Sequence, residues 1–137
     1  MMTICDTGPL VAYLNRNDRY HAWAVALMKQ VAPPMLTCEP VLTEVAYFLR
    51  EDRVDVDPLF QLLERGALRL EFDMSAHWPR VRTLMARYDR MDMADASIVV
   101  MTELHTRCQV LTVDRKDFSV YRRNERQVID FVAPPKR

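Results

Sequence analysis

Short apolar runs spaced by longer helical segments constrain the fold of this 137-residue chain more than any other feature of its sequence. The runs predict strands, and the segments between them are too long for hairpin turns. This order indicates parallel strands joined by right-handed helical crossovers. We therefore expect an α/β protein, a three-layer α/β/α sandwich, although the pattern leaves the strand order open. The predicted strands are residues 1–5, 35–38, 68–72, 109–113 and 128–132.

Prolines, a glycine and short polar residues mark the ends of the predicted helices. Pro40 suits the first turn of one helix, and Gly66 is placed to end the next. Asp57 and Ser75 are expected to act as N-caps, because their side-chain oxygens can accept hydrogen bonds from free backbone N–H groups. The predicted helices are residues 21–28, 40–50, 57–66, 75–88 and 94–104.

Length, charge and cysteine content limit the classes of protein to which the chain can belong. Its 137 residues fit one domain, predicted over 1–132, followed by a basic tail over 133–137. Lys plus Arg equals Asp plus Glu at 19 each, so any nucleic-acid contact must be a local patch. The three cysteines are widely separated and lack a C-x-x-C spacing, which favours buried reduced thiols. No apolar run approaches the ~18 residues of a membrane span, and no leader pattern is seen, so we expect a cytoplasmic protein.

Two aspartates stand directly after predicted strands that lie far apart in the sequence. Asp6 ends the first apolar run, and Asp114 closes the run before it in the same way. Ligands of open α/β sheets bind at the carboxyl ends of the strands. Asp6 and Asp114 would therefore meet if the first and fourth strands were neighbours in the sheet.

A third carboxylate, that of Glu44, falls among apolar residues of a predicted helix. Its helical neighbours three and four positions away include Val41, Tyr47 and Phe48. Burying a lone carboxylate is costly, so such groups are normally paired, metal-bound or protonated. The alternative is a glutamate whose charge reaches water at the edge of the apolar stripe.

Asp92 and Asp95 have the spacing of an N-cap residue and its partner in the first helical turn. We assign the capping role chiefly to Asp92, and expect Asp95 to face the strand-end carboxylates. Asp114 and Asp117 repeat the spacing, so one of them could simply cap the following turn. Each of these acids therefore has a structural explanation when it is taken separately.

Taken together, Asp6, Glu44, Asp95 and Asp114 would form a cluster of like charges that repel unless a cation neutralises them. Ligand sets made only of carboxylate oxygens select Mg²⁺ or Mn²⁺, whereas zinc favours His or Cys. The histidines show no metal-ligand spacing. Thr112 could support a ligand by hydrogen bonding. Because such an ion can activate water and stabilise charge on a phosphoryl group, phosphodiester hydrolysis is the natural hypothesis.

Four short motifs occur in order over nearly the whole chain. They are Asp6-Thr7-Gly8-Pro9-Leu10, Thr43-Glu44-Val45, Ala94-Asp95-Ala96-Ser97-Ile98, and Leu111-Thr112-Val113-Asp114 with Asp117-Phe118 close behind. Through these motifs the chain resembles the PIN-domain nucleases, and within them the toxin components of VapBC-type toxin–antitoxin pairs. Each motif is weak alone, but the ordered set is fairly specific.

The resemblance implies a parallel five-stranded sheet in which the first and fourth strands are adjacent. It also implies Mg²⁺ or Mn²⁺ held by Asp6, Glu44, Asp95 and Asp114, a metal-activated water, and endonucleolytic cleavage of RNA. Asp92 and Asp117 would be supporting residues around these ligands. By the same resemblance, the protein would be a homodimer silenced by a small antitoxin whose C-terminal segment occupies the acidic pocket, often through an Arg.

Basic residues are concentrated in the last thirty or so positions, where they outnumber the acids. Arg115 and Lys116 directly follow a proposed metal ligand, and we predict that they contact RNA phosphates. The alternative is a solvated basic surface with a frayed tail. Tyr13, Tyr47 and Tyr121 could stack on bases, or serve as core or dimer contacts. The other basic residues of this segment are Arg107, Arg122, Arg123, Arg126, Lys136 and Arg137.

Several rival functions share an acidic edge on an α/β sheet. A haloacid-type phosphatase needs a D-x-D spacing, but position 8 is Gly8. A receiver domain carries paired acids after its first strand and a Lys before Pro near its last, and neither pattern is present. A PIN-domain RNA-processing nuclease that is not a toxin stays open. So does a catalytically silent signalling or binding module, although none of the four acids is lost.

Overall fold

A computed structural model describes residues 1–136 of the protein. These residues contain seven strands, which form one five-stranded and one two-stranded sheet. The strands are β1 (Met2–Cys5), β2 (Met35–Thr37), β3 (Leu68–Leu70), β4 (Cys108–Leu111), β5 (Arg122–Arg123), β6 (Gln127–Val128) and β7 (Phe131–Val132). Five of them form a parallel sheet in the order β3-β2-β1-β4-β7. Arg137, which belongs to the predicted basic tail, lies outside the described residues.

Seven helices in the described part of the chain connect and cover these strands. They are α1 (Thr7–Leu14), α2 (His21–Gln30), α3 (Glu39–Glu51), α4 (Asp57–Glu64), α5 (Met74–Arg87), α6 (Met93–Leu104) and α7 (Arg115–Val120). Helix α1 packs on α2 and α3, and α5 packs on α6. The predicted α/β/α sandwich with a central parallel five-stranded sheet is therefore confirmed. None of these helices is long and apolar enough to cross a membrane.

The central strands are buried along almost their whole length. Ile4, Leu36, Val110 and Leu111 have no exposed surface. Strands of a parallel sheet are covered on both faces, so their sequences are continuously apolar. Each fully buried aliphatic side chain stabilises the fold by roughly 1.5–3 kcal/mol relative to its exposed state. The central sheet is thus a rigid support for the residues at its edge.

Strands β1 and β4 lie side by side in the middle of the sheet. Their register pairs Met2 with Cys108 and Cys5 with Leu111. The backbone N–H of Asp6 continues the ladder by donating to the carbonyl of Leu111 at 2.9 Å. The adjacency of the first and fourth strands, which the family resemblance implied, is confirmed, and it brings both strand-end aspartates to one edge.

Two of the predicted N-caps are wrong. Helix α4 begins at Asp57 itself, with Val56 in the cap position. Helix α5 begins before Ser75 and is capped by Asp73, whose carboxylate accepts a hydrogen bond from the Ser75 N–H at 3.0 Å. An aspartate two residues upstream outcompetes the serine hydroxyl, because a charged acceptor makes the stronger hydrogen bond with a free N–H group.

The last predicted strand, 128–132, is two strands in two different sheets. Strand β6 pairs with β5 in an antiparallel hairpin, whereas β7 joins β4 in the main sheet. The hairpin turn uses positive φ angles at Asn124 and Glu125, of 48° and 72°. An apolar pattern shows that a segment is extended, but it does not show which strand will pair with it.

Two short helices were not predicted from the sequence, and both start directly after a strand-end aspartate. Helix α1 follows Asp6, and α7 follows Asp114. Pro9 sits in the first turn of α1, where a missing N–H costs no hydrogen bond. Helices this short depend on tertiary packing rather than on intrinsic propensity, so the sequence indicated only a turn at each place.

The start of the predicted tail 133–137 is attached to the domain. The Arg115 guanidinium donates to the carbonyl of Pro134 at 3.0 Å and lies 5.8 Å from the centre of the Phe131 ring. Pro134 is buried, whereas Lys136 is exposed. The division into a domain over 1–132 and a tail over 133–137 stays a prediction.

Gly8 provides a test of how closely α1 approaches the end of β4. A Cβ atom at this position would lie 2.9 Å from Cγ1 and 3.1 Å from Cβ of Val113, and closer still to its Cγ2. Rotation of the stiff valine side chain cannot clear all three atoms. We expect Gly8→Ala to lower the free energy of unfolding by about 1–3 kcal/mol through overpacking.

Val113→Ala provides the control for this prediction. Val113→Ala removes the obstructing methyl groups, so the loss from Gly8→Ala should be much smaller in the double variant. Urea unfolding of the four proteins in this cycle measures the coupling between Gly8 and Val113. Additive losses in the double variant would show that the two residues do not obstruct each other.

Candidate active site

Acidic side chains converge on one cleft of about 420 Å³ at the carboxyl edge of the central strands. All four predicted metal ligands line it, and so do both predicted supporting acids. The lining acids are Asp6, Asp18, Glu44, Asp92, Asp95, Asp114 and Asp117. Residues from the ends of β1 and β4 and from the four helices α1, α3, α6 and α7 are thus brought together by the fold.

Asp6 is the most enclosed carboxylate of the cleft, with 6% of its surface exposed. Burial raises the pKa of Asp6 to about 6, against hydrogen bonds from the Thr7 N–H and the Thr112 hydroxyl that lower it. The negative charges of Glu44 and Asp92 raise it further. Without a cation, ionisation of Asp6 therefore costs more free energy in the folded protein than in the unfolded chain.

The hydroxyl of Thr112 connects the two strand-end aspartates. Thr112 is completely buried. Its Oγ1 donates to Oδ2 of Asp6 at 2.8 Å and accepts from the backbone N–H of Asp114 at 3.0 Å. One buried side chain therefore fixes both the orientation of the first carboxylate and the path of the chain at the second.

Glu44 is held over the cleft by α1. Its Oε1 accepts a hydrogen bond from Oγ1 of Thr7 at 2.6 Å, which joins α3 to the start of α1. Partial burial raises the pKa of Glu44, the hydrogen bond from Thr7 lowers it, and the charge of Asp92 raises it. The carboxylate is half-buried, and it forms no ion pair with a basic side chain in the described part of the chain.

Asp95 faces the cleft from the first turn of α6, with 9% of its surface exposed. Its Oδ2 accepts a hydrogen bond from the Tyr121 hydroxyl at 2.8 Å. Burial, then the charges of Asp6 and Asp92, raise the pKa of Asp95 to about 7. Tyr121 is itself buried between the rings of Tyr88 and Phe118, so it belongs to the core and has no free face for a base.

Asp92 and Asp114 each cap the helix that follows them. Asp92 caps α6 by accepting the Asp95 N–H at 2.8 Å, while its own side chain is exposed at the cleft. Asp114 caps α7 with a longer hydrogen bond from the Asp117 N–H, at 3.4 Å. Partial burial, followed by the proximity of Asp117, raises the pKa of Asp114.

Asp117 is paired with a cation that the sequence analysis did not single out. Its Oδ1 accepts a hydrogen bond from Nε of Arg90 at 3.0 Å. Burial alone would raise the pKa of Asp117, but the hydrogen bonds involving Asp114 and Arg90 outweigh it and hold the pKa below its usual value. Arg90 lies two positions before the cap of α6, and nothing local in the sequence signals that it reaches α7.

The loop between α1 and α2 also reaches the cleft, although no pattern in the sequence predicted it. Arg19, Tyr20 and, from α3, Phe48 line the same cavity. The Arg19 guanidinium lies 4.7 Å from the centre of the Tyr20 ring. Only the tertiary fold carries this loop back over the edge of the sheet, so no spacing pattern could have predicted it.

An apolar cavity of about 570 Å³ adjoins the acidic cleft. The two share Glu44 and Asp92 as lining residues. The other residues around this cavity are Glu39, Pro40, Thr43, Phe72, Met74, Met93 and Ala94. A ligand that occupies both spaces would meet an acidic surface and an apolar surface side by side.

The arginines of the basic segment are largely engaged by main-chain carbonyls. Arg115 holds the tail, and neither it nor Lys116 lines the cleft, although Lys116 is exposed. Arg122 and Arg123 cover the ends of α7 and α6. The accepting carbonyls belong to Ser119, Val120 and Tyr121 for Arg122, and to Thr102, His105 and Thr106 for Arg123.

The donors of the cleft fit a hard divalent cation. No group of three His, Cys, Asp or Glu side chains within residues 1–136 is already arranged to hold a metal ion. The pKa values of Asp6, Glu44, Asp95 and Asp114 are nevertheless all raised, chiefly by burial. Oxygen ligands of this kind suit Mg²⁺ or Mn²⁺, and a cation among them would relieve the cost of their ionisation.

Comparison with known proteins gives two matches. A family model described as PIN domain matches residues 3–124, a span that includes Asp6, Glu44, Asp95 and Asp114. The chain is also 28% identical over 124 residues to Ribonuclease VapC26 of Mycobacterium tuberculosis (strain ATCC 25618 / H37Rv). That alignment covers 87% of this chain and 91% of the relative.

The raised pKa values predict how the stability of the metal-free protein depends on pH. Asp6 and Asp95 keep their protons to about pH 6 and 7 when folded, but lose them near the ordinary value of 3.8 when unfolded. Between these limits the folded state binds more protons, so the free energy of unfolding falls as pH rises. Asp95→Asn removes one of these titrations. It should stabilise the metal-free protein by roughly 1–3 kcal/mol above pH 7 and flatten the pH dependence.

Urea unfolding in chelator, followed by the fluorescence of Trp23 and Trp78, measures this effect. Asp89→Asn, at an exposed position outside the cleft, is the matched control and should leave the curve unchanged. Parallel pH profiles for the wild type and Asp95→Asn would show that burial of Asp95 does not raise its pKa.

Proposed function

This chain belongs to the PIN-domain family, and we propose that it is a Mg²⁺- or Mn²⁺-dependent endoribonuclease, the toxin of a toxin–antitoxin pair. The observation that carries the proposal is the convergence of Asp6, Glu44, Asp95 and Asp114 on one cleft. The similarity to a ribonuclease over most of both chains supports RNA as the substrate. The four residues are proposed as the catalytic, metal-holding set.

The same four carboxylates would hold the cation. When bound, Mg²⁺ or Mn²⁺ would supply a water of lowered pKa and neutralise charge on the phosphoryl group under attack. The role of the chain is to present oxygen ligands in an enclosed site at the end of a rigid sheet. Neutral donors orient the ligands without cancelling their charge, so the cleft stays attractive to a divalent cation.

Each proposed ligand except Asp114 has a side-chain hydroxyl donor on its own carboxylate. Thr112 orients Asp6, Thr7 orients Glu44, and Tyr121 orients Asp95. The Asp114 carboxylate accepts the backbone N–H of Asp117 instead, and the backbone N–H of Asp114 donates to the Thr112 hydroxyl. Hydrogen bonds to ligand carboxylates typically affect metal affinity or activity 10–100-fold. We therefore include Thr112 in the site, and assign Asp92 to the capping of α6.

The acidic cleft and its neighbouring apolar cavity support the proposal that an antitoxin binds at this site. A peptide that carries a basic side chain beside apolar side chains would complement both spaces at once. Such a partner would compete with the metal and the RNA for the same carboxylates. The homodimer and the cytoplasmic location stay parts of the proposal, and so do phosphate contacts by Arg115 and Lys116, which would lie outside the cleft.

Two other functions remain to be separated from this one. A PIN-domain RNA-processing nuclease would cleave RNA without harming the cell that produces it. A silent binding module would bind no metal and cut no RNA. The two predictions that follow distinguish these cases.

We expect purified protein to cut total cellular RNA at discrete sites in Mg²⁺ or Mn²⁺, as found by sequencing of new RNA ends. Chelation should abolish the cuts. Asp6→Asn should reduce them more than about a hundredfold, because a lost ligand costs more than a lost hydrogen bond to a ligand. The fold should persist, since this change removes one of several mutually repelling charges and leaves an amide oxygen for Thr112.

Asp55→Asn, an exposed aspartate away from the cleft, is the matched control and should cut like the wild type. Equal cutting by Asp6→Asn at the same metal concentration would refute the site assignment. Absence of new ends together with absence of metal binding would favour the silent module.

The toxin role is tested separately, by expression of the chain without a partner. Wild type should slow the growth of the host, whereas Asp6→Asn at the same soluble level should not. Harmless overproduction of soluble, RNA-cleaving wild type would favour the RNA-processing nuclease over the toxin.

A further inference from the structure

Arg90 is a cation in an acidic cleft, and none of the roles above uses it. Among the described residues, the basic side chains that line the cleft are Arg19 and Arg90. Every other charged residue of the lining is an acid. A polyanionic substrate that reaches the proposed metal site must therefore pass close to these two arginines.

The guanidinium of Arg90 is held at one nitrogen and open at the others. Its Nε donates to Asp117, and 70% of the side chain is exposed. Within residues 1–136, neither of its terminal nitrogens makes a hydrogen bond to the protein. A guanidinium has five N–H donors, so four of them face the cleft and solvent.

The partner of Arg90 is a buried carboxylate. Asp117 has 7% of its surface exposed, in the first turn of α7. Its backbone N–H is bonded to the carboxylate of Asp114, three residues before it. An ion pair whose arginine is mostly exposed contributes little to stability, because water and salt screen its charge. Stability alone is thus a weak explanation for the burial of this carboxylate.

The geometry of Arg90 suits a phosphate group. The planar fork of an arginine matches two phosphate oxygens, and a carboxylate that holds Nε leaves the terminal nitrogens free for them. The distance to the proposed metal site is short, because Asp117 is in the same turn as Asp114. Arg19 differs in this respect, since its guanidinium covers the Tyr20 ring on a loop and forms no ion pair with a carboxylate among residues 1–136.

We propose that Arg90 binds a phosphate of the RNA strand beside the four carboxylates, and that Asp117 positions Arg90 for this contact. The inference rests on the proposed function only in taking RNA as the ligand. It adds a phosphate-binding residue and a positioning residue to the site. Asp117 thereby supports substrate binding rather than metal binding.

Binding is measured separately from cleavage, with Asp6→Asn as the background and chelator present. Fluorescence anisotropy of a labelled oligouridylate is followed over a range of salt concentrations. Each phosphate contact on a single strand contributes about 0.7 to the slope of log affinity against log salt. Arg90→Gln should therefore reduce the slope by about 0.7. Arg90→Lys should keep the slope but weaken binding several-fold, because lysine lacks the fork.

Two further variants separate this role from a structural one. Arg82→Gln changes an exposed arginine of α5 that does not line the cleft, and should alter neither slope nor affinity. In an Asp117→Asn background, Arg90→Gln should weaken binding less than it does alone, since the guanidinium is no longer held. The Tm of Arg90→Gln should match that of its parent.

An unchanged slope in Arg90→Gln would overturn the proposal, and so would a large drop in its Tm. If RNA is still cut at discrete sites in that case, the proposed function survives. If binding depends on Arg90 but no RNA is cut, the nuclease proposal fails and the phosphate contact stands. Failure of the parent protein to bind the RNA at any salt concentration would overturn the phosphate contact.

Discussion

The hydrogen bonds of the Thr112 hydroxyl are the interactions on which the rest of the edge depends. They join the carboxylate of Asp6 to the backbone of Asp114, at the point where β1 and β4 end. From these two residues the chain turns directly into α1 and α7. Because Thr112 is buried, water cannot replace it as a donor. These two aspartates are therefore held in place at the ends of buried strands.

The cleft is kept acidic at a cost in stability. Thr7, Thr112 and Tyr121 are neutral donors, so they orient three carboxylates and leave their charge uncompensated. The raised pKa values of Asp6 and Asp95 reflect the free-energy cost of ionising these buried carboxyls. Arginine–carboxylate pairing occurs elsewhere, where Arg80 and Arg87 join α5 to Glu125 in the β5–β6 turn. Within the cleft, the pair of Arg90 and Asp117 is the exception among the described residues.

Local patterns predicted several features that depend on neighbouring residues in the chain, although the N-caps expected at Asp57 and Ser75 were wrong. The capping of α6 by Asp92 follows from a three-residue spacing, and the strands follow from apolar runs. Local patterns did not predict which groups the arginine side chains contact. Arg122 and Arg123 looked like a basic patch, yet they donate to carbonyls at helix ends. Charge can be counted from a sequence, but the acceptor that a long side chain reaches cannot.

The sequence by itself determined the α/β class and most of the strands and helices. It also determined that four acids lie at strand ends and on helices. These follow from hydrophobic periodicity and from the cost of burying charge, both of which are local. Only the tertiary structure decided that β6 and β7 belong to different sheets, that Arg19 and Tyr20 border the cleft, and that Arg90 reaches Asp117. These contacts join residues far apart in the chain. They form because the crossovers of a parallel sheet return distant loops to one edge, which periodicity does not encode.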